Sequence, residues 1–199
     1  MADRSTPATV SRSAFLELRD EEELVQTGYQ FLDEKRVQLA SEILQQREEY
    51  RAARKAFAAR CTSAAEALLE AAATLGVDAL QVHPATTLAA TLAVEERPFV
   101  GLALITARLG SVASLDERPR GVLGDCIDAF RAVLSEGVPL AACVTNLERL
   151  MHEYERTERR VRALENVILP EIHSDLAMME EHLDLNDQEE VIRVHTLRR

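Results

Sequence analysis

Proline and glycine are distributed along this 199-residue chain in a way that leaves few folds open. From Ala8 to Leu75 there is no proline and one glycine, Gly28. From Leu140 to Arg199 there is no glycine and one proline, Pro170. The other glycines lie between Gly76 and Gly137, with Pro84, Pro98 and Pro119 among them and Pro139 just beyond. Glycine loses the most backbone entropy on ordering. Proline lacks an amide donor and its ring clashes with the preceding turn. Two flanks that can stay helical therefore surround a broken middle.

The first flank carries a seven-residue stripe. Leu18, Val25, Leu32 and Leu39 recur in step, followed by Gln46 and Ala53, while Tyr29, Ile43, Tyr50 and Phe57 form the interleaved line. Glu22 and Arg36 are polar exceptions in that stripe. A 3.5-residue apolar period over several heptads specifies a coiled-coil seam. Ser11 or Ser13 can cap the start. Beyond Phe57 the stripe passes into an Ala-rich stretch, Ala64 to Ala73, where small side chains permit close helix approach. The last flank repeats the logic through Cys143, Leu147, Leu150, Tyr154, Thr157, Val161, Leu164 and Ile168. Ile172, Leu176, Met179 and Leu183 continue the line, but steps of four accumulate, as in a stutter that relaxes a left-handed supercoil. Pro170 sits inside it, so a kink or local straightening is expected near Leu169–Pro170.

A flank of about 60 residues makes a helix of about 90 Å at ~1.5 Å per residue. No globule of this size can bury such a stripe, so each long helix needs the other. The antiparallel arrangement requires the middle only to turn the chain around. The expected fold class is all-α: two long helices in an antiparallel left-handed coiled coil with a small irregular middle. Residues 1–10 read as a disordered N-terminus, 11–75 as the first long helix, 76–137 as a head region, and 138–199 as the second long helix with a flexible end. Within the head, Phe99 to Leu109 fits a buried strand or a short helix, and periodicity does not decide. With Ser111 to Leu115 it can form a small hairpin. Asp125 to Ser135 reads as a short amphipathic helix.

Aromatics are only 4% of the chain, with no tryptophan, which suits a thin core of many small contacts. The formal net charge of −11 opposes general nucleic-acid binding and docking on an anionic membrane. The stretch Arg193–Arg199 is one candidate for a local basic patch. Cys61, Cys126 and Cys143 are odd in number and widely spaced, so they read as small apolar residues on helix faces. No run of 18 apolar residues occurs, so no membrane insertion is expected. Neither GxGxxG nor GK[ST] is present, and the five histidines form no HExxH. The carboxylate runs Asp20–Glu23 and Glu180–Glu181 read as solvated faces or contacts to basic partners, because acid–base work needs a concave site. Catalytic, cofactor-binding and metal residues are accordingly expected to be none.

One segment is more specific. Arg159-Arg160-Val161-Arg162-Ala163-Leu164-Glu165-Asn166-Val167-Ile168-Leu169-Pro170 resembles the RRRVNALE-x-V-x-[IV]-P segment of the D subunit of V-type (archaeal and bacterial A/V-type) rotary ATPases. Ser11 to Leu18, with Arg12, Leu16 and Leu18, resembles that family's TR-x-x-LL-x-L opening, and Leu32 to Leu39 its LLK-x-KRDEL segment. Two departures stand out: Arg162 replaces the family's asparagine, and Asp20-Glu21-Glu22-Glu23 stands where the family is strongly basic.

The resemblance implies a central-stalk rotor shaft for a proton- or sodium-translocating V-type ATPase or ATP synthase. Such a shaft is non-catalytic and couples ATP hydrolysis or synthesis to ion transport. The implied partners are the catalytic and regulatory subunits of an A3B3-type hexamer, the small F subunit of the stalk and a subunit linking to the membrane ring. The implied location is cytoplasmic and peripheral to the cell membrane. The contact residues it carries over are Arg12, Leu16, Leu18, Arg159, Arg160, Val161, Leu164, Glu165, Ile168 and Pro170. The competing readings are a coiled-coil scaffold or adaptor, and the γ-type shaft of F-type ATPases. The latter needs a larger sheet domain than the middle region can supply.

Overall fold

The computed structural model describes residues 11–82, 90–112 and 120–197. Expectations for residues 1–10, for Pro84 and Pro119, for the 113–115 part of the hairpin and for the last two arginines lie outside that range. The elements are α1 (Arg12–Leu75), α2 (Val77–Val82), β1 (Ala90–Phe99), β2 (Leu102–Val112), α3 (Val122–Ala163), a π-helical turn (Leu164–Ile168) and α4 (Leu169–Leu197). The fold is all-α apart from one antiparallel β1–β2 hairpin among the described residues. Ser11 starts α1 as an N-cap: its hydroxyl accepts the Ala14 N–H at 3.2 Å, satisfying one of the donors a helix start leaves free.

The chain forms two compact units. Unit 1 joins the residues up to Val37 with those from Tyr154 onward. Its helices run antiparallel: as the α1 partner advances through Arg12, Glu22 and Arg36, the opposite partner retreats through Asp187, His173 and Glu158. Thr157, Val161, Leu169, Ile172 and Met179 are buried along this pairing. Leu18, Val25, Tyr29 and Leu32 of the expected stripe are half-buried on the α1 side.

Unit 2 comprises Gln38–Glu153. Its helices are antiparallel as well, with Arg60 beside Glu136 and Phe57 against Gly137. A Cβ built on Gly137 would stand 3.2 Å from the Phe57 ring, so glycine sets how closely these helices approach. The seam of α1 continues past Phe57 through Ala64 and Ala71, both fully buried. The small side chains of the Ala-rich stretch are thus core residues.

Two details differ from the sequence expectation. The helix read as Asp125 to Ser135 runs on through Gly137 and Pro139 to Ala163. Pro139 removes only the bond to the Ser135 carbonyl, and Ser135 is exposed, so water can serve that oxygen. The apolar run Phe99–Leu109 belongs mostly to β2, which also takes in Ser111 and Val112, and its partner lies upstream, at Ala90–Phe99. The turn is Val100-Gly101, with φ of 46° and 85°. Positive φ at both central residues is the mark of the type I′ turn, whose twist matches that of paired strands.

Candidate functional site

The motif at 159–170 divides by face. Val161 is fully buried and Leu164 half-buried in the seam of unit 1, as is Leu18, while Ile168 is half-buried next to Leu169, which takes the inward place. Arg159, Arg160, Glu165 and Pro170 point outward, and the first three have no ion pair among the described residues. Leu16 is also outward, at 57% exposure. Arg12 is exposed but engaged: one guanidinium nitrogen reaches both Asp187 carboxylate oxygens, at 2.8 and 2.6 Å.

The polar exceptions in the stripe have partners on the opposite helix. Glu22 meets His173 at 2.9 Å. Arg36 pairs with Glu158 at 3.1 Å and with Asp33 one turn back. Glu158 also accepts from Arg162 at 2.9 Å. Arg162, the residue that departs from the family pattern, therefore completes the chain Asp33–Arg36–Glu158–Arg162. The hydrogen bond from Arg36 holds the Glu158 carboxyl below its usual range, partly opposed by desolvation, and Arg162 adds to the depression. Glu158 in turn is the largest cause of a raised Arg36 pKa.

The irregularity expected at Leu169–Pro170 takes the form of the π turn on its N-terminal side. Extended in sevens, the seam defined by Thr157 and Val161 predicts inward positions at 164, 168, 171, 175, 178 and 182. Beyond Leu164 the inward residues are Leu169, Ile172, Leu176, Met179 and Leu183, each one position later. Ile168 is only half-buried, whereas Leu169 is 8% exposed. One surplus residue thus enters the repeat between Leu164 and Leu169. A π turn absorbs one residue without rotating the rest of the helix, and here the Leu169 N–H bonds the Leu164 carbonyl, five residues back. The Asn166 side-chain amide donates to the Arg162 carbonyl at 3.1 Å, serving an acceptor at the edge of the widened turn. Pro170 has no N–H to give, so the next α-type bond is missing in any case.

In unit 2 the hairpin is fastened by side chains from both helices. Asn146 of α3 accepts the Ile105 N–H and donates to the Ile105 carbonyl, both at 2.8 Å. It does for the outer edge of β2 what another strand would do. Arg149 adds a bond to the Ala103 carbonyl at 2.9 Å. From β1, Arg97 reaches the buried Glu42 of α1 at 2.8 Å and lies 5.7 Å from the Phe99 ring centre. A cavity of about 120 Å³ remains among Gln46, Glu49, Arg97, Cys143 and Asn146. Its polar groups largely engage one another: Gln46 donates to Glu42 and Glu49, and Arg97 is held by Glu42. Burial, then the charge of Glu49, pushes the Cys143 thiol above its ordinary range. The arrangement positions a hairpin. Sequence reasoning did not single out Asn146, because its role depends on a strand 41 residues away.

Among the described residues no group of three His, Cys, Asp or Glu side chains is placed to hold a metal, and no helix is long and apolar enough to cross a membrane. The sequence model of the ATP synthase D subunit matches residues 14–199. The A-type ATP synthase D subunit of Halorubrum lacusprofundi is 28% identical over 207 residues, covering 94% of this chain and 86% of the relative. That of Halobacterium salinarum is 29% identical over 203 residues, covering 92% and 86%. A Pyrococcus horikoshii relative of the same name reaches 37% identity over 67 residues, covering 34% and 31%. The match takes in both units and the motif at 159–170, and on that ground the chain belongs to the family of ATP synthase D subunits.

Proposed function

We propose that this protein is the central rotor shaft of an A-type rotary ATP synthase, non-catalytic itself, coupling a catalytic hexamer to a membrane ring. The observation that carries the reading is the antiparallel helix pair of unit 1, with the family motif folded along it. Val161, Leu164, Leu169 and Leu18 hold the two helices together, which leaves Arg159, Arg160, Glu165, Leu16 and Pro170 to meet the subunits around the shaft. The mechanism is differential contact. A rod without three-fold symmetry presents different faces to three catalytic interfaces and so stabilises a different state at each. The π turn and Pro170 supply one local asymmetry.

The partners of this reading are the catalytic and regulatory subunits, the small F subunit of the stalk and a subunit that links to the ring. The location is the cytoplasmic side of the membrane, reached through the complex. Affinity purification of the tagged chain from its own cells should recover the hexamer subunits and the small stalk partner. A clean monomer, from cells in which the complex is present, would sink the proposal. Pro170→Ala should leave that recovery largely intact while lowering the ratio of ions moved to ATP hydrolysed.

A further inference from the structure

Unit 1 carries large apolar side chains that its own seam does not use. On α4, Met178, Leu185 and Ile192 recur every seven residues and are 51%, 49% and 65% exposed. They form a second stripe, distinct from the seam line of Ile172, Leu176, Met179 and Leu183. On α1, Leu24 is 73% exposed. Such a run on a helix that already has its partner is the pattern of a further contact.

Charge identifies what that contact accepts. Asp175, Glu181 and Glu189 are exposed and stand three or four residues from the members of the second stripe, on the same helix face. The whole of α4 holds eight carboxylates against a single arginine, Arg193. The beginning of α1 adds five between Glu17 and Glu23 against Arg19. The Glu22–His173 and Arg12–Asp187 pairs bring these two acidic stretches side by side. An acidic partner, including a second copy of this face, is repelled.

We infer that this apolar and acidic face docks on a lysine- and arginine-rich, apolar-lined inner surface of the catalytic hexamer. The inference rests on the shaft reading and deepens it. The acidic run Asp20–Glu23, which departs from the family pattern, lies in the same stretch of α1.

The test uses the full chain and the co-expressed hexamer lacking it, titrated at about 50 and 200 mM salt. The wild-type protein should bind more weakly at the higher salt. The triple variant Asp175→Asn, Glu181→Gln, Glu189→Gln should bind about tenfold more weakly at low salt, with a flatter salt response. A control with the same change in charge, Glu95→Gln, Glu96→Gln, Glu148→Gln, should match wild type. Replacing Met178, Leu185 and Ile192 by serine should weaken binding equally at both salts. All these positions are exposed, so helicity by circular dichroism should not change. If wild type binds and the acidic triple variant binds as tightly with the same salt response, the inference is overturned while the shaft reading stands. If wild type does not bind the hexamer at all, the shaft reading falls and takes the inference with it.

Discussion

Deleting one residue from the π turn should cost this protein almost nothing, whereas the same deletion a few residues later should be severe. The perturbation is removal of Val167, which is 49% exposed, combined with Pro170→Ala. Without the surplus residue, Leu169, Ile172, Leu176, Met179 and Leu183 fall on the positions that Thr157 and Val161 predict in sevens. The helix can then continue as a plain α-helix with its seam in register. Removing the proline also restores a backbone donor, a gain of up to ~3 kcal/mol where a helix interior was strained. The net expectation is a stability change near zero or favourable.

The control is removal of Ser174, which is exposed. The chain then has two options. It can keep the π turn and rotate Leu176, Met179 and Leu183 off the seam. Alternatively it can convert the turn to α-helix and put Leu169 and Ile172 out of register. Leu169 and Ile172 are 8% and 1% exposed, and full burial of each such side chain is worth about 1.5–3 kcal/mol. The cheaper option therefore costs at least about 3 kcal/mol. Urea unfolding followed by circular dichroism at 222 nm resolves a difference of that size. Equal destabilisation by the two deletions would refute the claim that the π turn exists to absorb one residue.

Other perturbations address the remaining contacts. Asn146→Ala strands the Ile105 N–H and carbonyl together and should cost about 2–3 kcal/mol, with faster amide exchange along β2 as the specific readout. Val100→Asn should stabilise the hairpin by about 1 kcal/mol, because a β-branched residue is strained at a φ of 46° and asparagine is not, which thermal unfolding can check. Glu158 is depressed in the folded state, so its contribution is fully present above the unfolded carboxyl pKa of about 4.3 and is lost as pH falls through the lower folded value. Acid titration of stability should accordingly show a component below about pH 4 that Glu158→Gln removes.

The helical flanks were legible because a long seven-residue period has one structural solution. Leu39, Leu150 and Val161, named from spacing alone, are fully buried. The π turn was half legible. The accumulated steps of four marked a disturbance, but only the burial of Leu169 in place of Ile168 identifies a single surplus residue. The continuity of α3 was hidden because Gly137 and Pro139 are helix breakers by propensity, and packing against Phe57 overrides propensity. Strand β1 was hidden for another reason: ATLAVEERPF is exposed almost throughout and has no buried face to impose an alternating pattern. Of the outward motif residues, nothing in periodicity marks Arg159 or Arg160. Only the resemblance did.

The polar residues of the seam bear on how the two helices of unit 1 stay aligned. An apolar heptad pairing is nearly degenerate under a slip of seven residues, about 10 Å, because every apolar side chain finds an equivalent place. The helices of unit 1 are joined by cross-helix ion pairs at Arg12–Asp187 and Arg36–Glu158 and by the polar contact of Glu22 with His173. Displaced by seven one way, Arg36 would face Met151 in place of Glu158; displaced the other way it would find Glu165, but Arg12 would exchange Asp187 for Val194 and Glu22 would meet Glu180 in place of His173. Exposed pairs add little to stability, so Arg12–Asp187 contributes weakly there. Its value, and that of the Asp33–Arg36–Glu158–Arg162 chain, lies in the alternatives it penalises. Under the proposed shaft role the pair has to resist sliding as well as melting, and the apolar seam supplies the second while these charges supply the first.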